Sequence, residues 1–158
     1  MNAETAALHA ALTEQRDHVL GILDGLDDDA LRRPVLPSGW TCLGLVRHLT
    51  LDVERFWFSV VTDGHPDLLV PGDAWDAADL PAATVLDEYR QEIERADAVI
   101  AATPLSRPPA WWPDDFGDWR LRDLRETLLH VVTETACHAG HLDAVRELLD
   151  GHRWLVLT

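Results

Sequence analysis

No lysine occurs anywhere in the 158 residues, and all 13 basic side chains are arginines. That absence removes lysine Schiff-base chemistry and the phosphate-binding lysine of a P-loop. Basic charge is scarce altogether: 28 Asp and Glu against 13 Arg leave a formal net charge of −15. A nucleic-acid surface needs clustered Lys and Arg, so nucleic acid is excluded as a partner, and an anionic membrane surface is disfavoured for the same reason. There are only two cysteines, Cys42 and Cys137, too few for a disulfide framework. Three serines occur and none sits in a Gly-x-Ser-x-Gly elbow, which leaves no sign of a nucleophile supplied by the protein. No run approaches the roughly 20 apolar residues needed to span a membrane, and the first residues lack the regions of a signal peptide. The expected compartment is the cytoplasm. An Ala-, Asp- and Arg-rich chain without lysine carries the imprint of a GC-rich genome.

With 47% hydrophobic and 26% charged residues, the chain has an ordinary globular composition and a length that suits one domain over residues 1–158. Four amphipathic helical patterns emerge, at about residues 5–23, 41–61, 82–102 and 121–149. Asp28 or Asp29 could cap a short turn through Leu31, before Pro34. A connection of about twenty residues containing Pro66, Pro71, Gly72 and Pro81 separates the second and third helices, and so long a loop in a small domain is usually functional or mobile. A second loop, before the last helix, concentrates Trp111, Trp112, Phe116 and Trp119. Strand signals are weak, with Trp154-Leu155-Val156-Leu157 the only candidate. The fold class is all-α, and four long helices read as a four-helix bundle.

The last helix carries the chemistry. His130, Glu134, His138 and His141 recur at spacings of four, four and three, within an arc of roughly 80° on one helical face. Nitrogen and oxygen groups aligned this way among Leu, Val and Ala are costly to bury unless something pairs them. A divalent metal would do so. Glu134 with His138 alone could be a helical ion pair, so a metal site needs a third ligand from a facing helix. His48 is the best candidate, flanked by Leu45, Leu49 and Leu51. Two imidazoles and one carboxylate suit Zn²⁺ with an open position first, and Ni²⁺ or Fe²⁺ at higher coordination. His130 and His141 flank the pair by one turn on either side. Each could be a fourth ligand, a partner to a ligand or a proton shuttle. His9, His18, His65 and His152 are expected to be solvated.

Two segments carry a family resemblance. Ser38-Gly39-Trp40-Thr41-Cys42-Leu43-Gly44-Leu45-Val46-Arg47-His48-Leu49 with Val53-Glu54-Arg55-Phe56-Trp57-Phe58, and Leu129 to His141 with Leu142-Asp143, resemble the DinB superfamily, most closely its actinobacterial DUF664 branch. The resemblance covers nearly the whole chain. It implies an up-down-down-up bundle that binds a divalent metal through one His on the second helix and two ligands on the fourth. In the mycothiol-dependent maleylpyruvate isomerases of this superfamily those ligands are His, Glu and His, and His48, Glu134 and His138 match them position by position. In other members the last ligand opens a His-Arg-Gly-Gln motif. Here it reads His138-Ala139-Gly140-His141, so His141 takes the Gln place. The branch more often has Arg where this chain has Cys137, which is read here, like Cys42, as a small core residue. The resemblance also implies a low-molecular-weight thiol cosubstrate, such as mycothiol, and raises homodimerisation as an expectation.

The function expected from these signs is a metal-dependent thiol S-transferase or thiol-dependent isomerase, acting on a small electrophile. The alternative is a non-catalytic metal-binding stress-response protein. His141 and His130 are the candidate catalytic residues. Arg47, Arg55, Trp111, Trp112 and Trp119 are candidates for binding substrate, and Asp52, one turn beyond His48, could orient its imidazole.

Overall fold

The computed structural model describes residues 2–154, and these contain helices and no strand. Four elements dominate: α1 (Ala3–Leu23), a composite second helix, α4 (Ala82–Ala102) and α5 (Leu124–Asp150). The composite helix begins as α3 (Cys42–His48) and continues as a π-helix over Leu49–Thr62. One short turn, α2 (Asp28–Leu31), lies between α1 and α3, and two 3₁₀ turns, Pro66–Leu68 and Asp114–Phe116, interrupt the loops.

Side-chain oxygens start most of these helices. Asn2 accepts from the Thr5 amide, Asp27 from Ala30, Thr41 from Gly44 and Asp123 from Glu126; each satisfies an amide that the first helical turn leaves free. The helix α5 is closed by Gly151 in the left-handed conformation (φ 80°), which a residue without Cβ adopts at no steric cost. Fully buried Leu12, Val19, Leu43, Leu45, Phe58, Tyr89, Leu128, Val131 and Leu142 bring the apolar faces of all four elements into one core.

Contacts between helices fix their directions. Glu4 pairs with Arg125 and the Ile22 carbonyl with Arg146, so α1 and α5 run parallel. His48 faces His138, and Trp57 faces His130, so the composite helix runs antiparallel to α5. Asn2 and Thr5 lie beside Ile100 to Leu105, and Leu20 beside Leu86, so α4 runs antiparallel to α1. The order is up, down, down, up. Two adjacent parallel helices require a connection that returns along their length, and residues 63–81 supply it. Their length is thus a consequence of topology.

This crossover is pinned where it returns to the start of α3. Arg47 donates to the Asp73 carbonyl, and Arg32 to the carbonyls of Ala77, Ala78 and Leu80. Gly44 has a further role: a Cβ there would sit 2.5 Å from the Trp75 carbonyl oxygen. Only glycine lets the crossover approach this closely.

The π segment departs from the α-helix that the apolar pattern suggests. Its buried side chains start as two pairs four positions apart, Leu49–Thr50 and Val53–Glu54, a step longer than the 3.6 of an α-helix, and then run unbroken from Trp57 to Thr62. Thr50, Glu54 and Thr62 are satisfied internally. Thr62 donates to the Trp57 carbonyl five residues back, and Thr50 to Val46. Glu54, 1% exposed, accepts two hydrogen bonds from Arg16, itself 2% exposed, at 2.7 and 2.6 Å. Arg16 also donates to Asp97, which His9 meets at 2.8 Å.

Three expectations are corrected. Cys137 is exposed, because Thr135 and Ala139, two positions away on either side, face the core, and two positions turn a helical side chain about 160° away, toward solvent. His18 is buried, 2.9 Å from Asp143 and stacked on Trp154 at 5.2 Å between ring centres. Its helical face packs on α5, which takes it out of solvent. His9 is half-buried against Asp97, whereas His65 and His152 are exposed. The strand expected over residues 154–157 falls largely outside the described residues.

Candidate metal centre

The composite helix and α5 bring His48, Glu134 and His138 together, with one ligand atom from each lying within 4.8 Å of the others. His48 Nε2 is 3.9 Å from Glu134 Oε1, and His138 Nε2 is 3.6 Å from the same oxygen. These separations exceed the roughly 2.7–3.2 Å of a hydrogen bond. They approach the spacing of roughly 3.4 Å between neighbouring ligands on a tetrahedral ion with bonds of about 2.1 Å. The three groups converge on a common point without satisfying one another.

The surroundings favour the same use. His48 Nδ1 is 2.8 Å from Asp52 Oδ2, which turns Nε2 toward the cluster and makes the ring a better donor, as carboxylate partners do for metal-binding histidines. Burial, with His48 close by, lowers the pKa of His138 and keeps the ring neutral, the form with a lone pair to give. Its Nδ1 is buried without a hydrogen-bond partner. The donor set therefore fits a divalent ion.

Aromatic rings close the cluster on two sides. Trp75, from the crossover, stacks on His48 with ring centres 4.4 Å apart and planes 15° apart, and lies 5.9 Å from His138. Trp40 reaches His141 at 6.3 Å, and His141 lies 5.5 Å from His138. On the other side His130 Nε2 is 3.7 Å from Glu134 Oε2. Its ring meets Trp57 at 4.6 Å and Trp119 at 5.7 Å, in a group that also holds Trp112 and Phe116. Burial lowers the pKa of His130 too.

The remaining candidates are distributed unevenly. Trp112 and Trp119 join this aromatic wall. Trp111 does not; it packs against the core and its amide donates to the Val61 carbonyl. Arg47 is held on the Asp73 carbonyl, and Arg55 is drawn to Glu92, a carboxylate only 2% exposed that needs a cation beside it. The structure brings neither guanidinium to the cluster. Trp75 and Trp57 stand closest to the cluster's histidines and Trp40 lies against His141, and sequence reasoning gave none of the three a role. Trp75 lies in a Pro-rich loop with no periodicity; its one signal is that the loop is long.

A family model described as Mycothiol-S-transferase matches residues 7–151. The chain belongs to the mycothiol S-transferase family. Searches of curated proteins and of solved structures return no match. The matched span begins within α1, takes in the other three long helices whole and includes every residue of the cluster described above, from Trp40 to His141.

Proposed function

We propose that this protein is a metal-dependent thiol S-transferase that conjugates mycothiol to a small, largely apolar electrophile. The convergence of His48, Glu134 and His138 within 4.8 Å, in a chain of the mycothiol S-transferase family, carries the reading. A divalent ion held there would lower the pKa of a bound thiol from about 8.5 to below neutral, which supplies the reactive thiolate.

The protein's own groups have distinct tasks. Asp52 fixes the His48 ring through Nδ1. His141 is exposed and lies 5.5 Å from His138, so one of its ring nitrogens can take the thiol proton and pass it to water. His130, kept neutral by burial on the opposite side, can act as a base or return a proton where the reaction is an addition rather than a displacement. Trp57, Trp112 and Trp119 form the wall against which an apolar electrophile would lie. With an alkyl halide the sulfur forms a C–S bond, the carbon–halogen bond breaks, and halide leaves with the proton accounted for by His141. No Ser or Cys of the chain is needed as nucleophile.

The expectation of a non-catalytic metal-binding protein is separated by one assay. Tag-free protein loaded with Zn²⁺ is incubated with mycothiol and monochlorobimane, and formation of the fluorescent conjugate is followed. Turnover above the uncatalysed rate, lost on chelation and in His48→Ala, is expected. Full metal occupancy with no acceleration would contradict the transferase reading.

A further inference from the structure

Beside the centre lies a recess of about 540 Å³, within the range of small-molecule sites. It is lined by the indoles of Trp40 and Trp75, the carboxylates of Asp73 and Asp76, and Ser38, Gly39 and Thr41. The two indoles lie 6.5 Å apart at 58° to each other, and Trp75 also stacks on His48. A molecule in the recess is therefore next to the metal ligands.

The chemistry of the lining is specific. Aromatic faces beside carboxylates and hydroxyls match a polyol ring, whose C–H face packs on indole while its hydroxyls donate to oxygen acceptors. Asp73 uses Oδ1 on the Trp75 amide and Asp76 uses Oδ1 on the Ala78 amide. Each keeps its second oxygen for a ligand. No basic side chain lines the recess among the described residues. The neighbouring Arg47 and Arg32 are committed to loop carbonyls and to Asp28. Two carboxylates in a chain of net charge −15 repel an anion.

We propose that this recess selects the thiol cosubstrate, accepting its uncharged polyhydroxylated half and rejecting anionic peptide thiols. The proposal rests on the thiol-transferase reading for the identity of the molecule. Mycothiol consists of a cysteine derivative joined to a glucosamine–inositol pair, so its sulfur and its polyol lie at opposite ends. Glutathione carries two carboxylates instead. Trp40, Trp75, Asp73 and Asp76 thereby act as specificity determinants, distinct from the groups that bind metal or move protons.

The test uses the sulfur-free N-acetylglucosaminyl-inositol and follows quenching of tryptophan fluorescence. Saturable binding to the full-length protein is expected, and it persists after chelation because the recess does not depend on the ion. Trp40→Ala weakens it about tenfold. The Asp73→Asn/Asp76→Asn variant, altered only at exposed side chains, weakens it several-fold and lets glutathione compete. Absence of saturable binding, or binding indifferent to both variants, overturns the proposal. Conjugation of mycothiol without binding of the fragment would sink the recess and leave the transferase reading intact. Binding of the fragment without any conjugation would do the reverse.

Discussion

Two residues show how burial decides what a side chain can do. The thiol of Cys42 is buried, and burial pushes its pKa up to about 11, whereas Cys137 is exposed. At pH 8 a maleimide should modify Cys137 rapidly, and Cys42 should react only once denaturant is added. Two equally fast thiols by mass spectrometry would contradict the packing of α3. The Arg16–Glu54 pair makes the opposite point. Both groups are almost fully buried; Glu54 is held by Arg16, which also reaches the partly exposed Asp97. Replacing Glu54 by Ala leaves the buried guanidinium with Asp97 alone and should cost about 3–5 kcal/mol in urea unfolding. The double replacement Arg16→Met/Glu54→Leu should recover most of that loss. A double variant as unstable as the single one would show that the pair itself, rather than the isolated charge, matters.

At the scale of an element, the crossover is the part that places an indole ring on His48, one of the three candidate ligands. Gly44→Ala puts a Cβ against the Trp75 carbonyl, which is backbone and cannot swing away. The expected cost is about 1–3 kcal/mol of overpacking, with chymotryptic cleavage after Trp75 accelerated as the loop lifts. Unchanged cleavage would mean that the loop is held by Arg32 and Arg47 alone. The helix ends carry a pH dependence. Hydrogen bonds from Arg32, Arg122 and Arg146 hold Asp28, Glu126 and Asp150 below the usual carboxylate range. A depressed carboxylate stabilises the fold above its unfolded pKa, and that contribution is lost as pH falls through the folded value. Asp150→Asn should therefore be less stable than wild type at pH 6, and the gap should narrow as the pH is taken below about 4. A gap that widened on acidification would reverse the sign.

Across the whole molecule, the legible parts were those whose signal is local. Residues 82–102 read as a helix because Val85, Tyr89, Ala96 and Ile100 repeat on one face, and α4 has those bounds. The His130–His141 stripe was visible for the same reason, and His48 stood out as an imidazole among leucines. What the sequence hid depends on long-range packing. The π winding after His48 places Glu54 against Arg16, 38 positions away, and nothing nearby in the chain announces that partner. Trp75 reaches His48 only because two parallel helices force a long return. His18 looked solvated because Asp17 beside it is polar, yet its burial depends on Asp143 and Trp154.

The proposed activity stands on one divalent ion held by His48, Glu134 and His138 between the composite helix and α5. The most direct test is the metal content of tag-free protein by elemental analysis, for wild type, His48→Ala and Glu134→Ala, each checked for helicity by circular dichroism. One equivalent of metal in wild type and essentially none in either folded variant is the predicted result. A full equivalent retained by folded His48→Ala, or a wild-type protein that takes up no ion from excess Zn²⁺, Ni²⁺ or Fe²⁺, would contradict it.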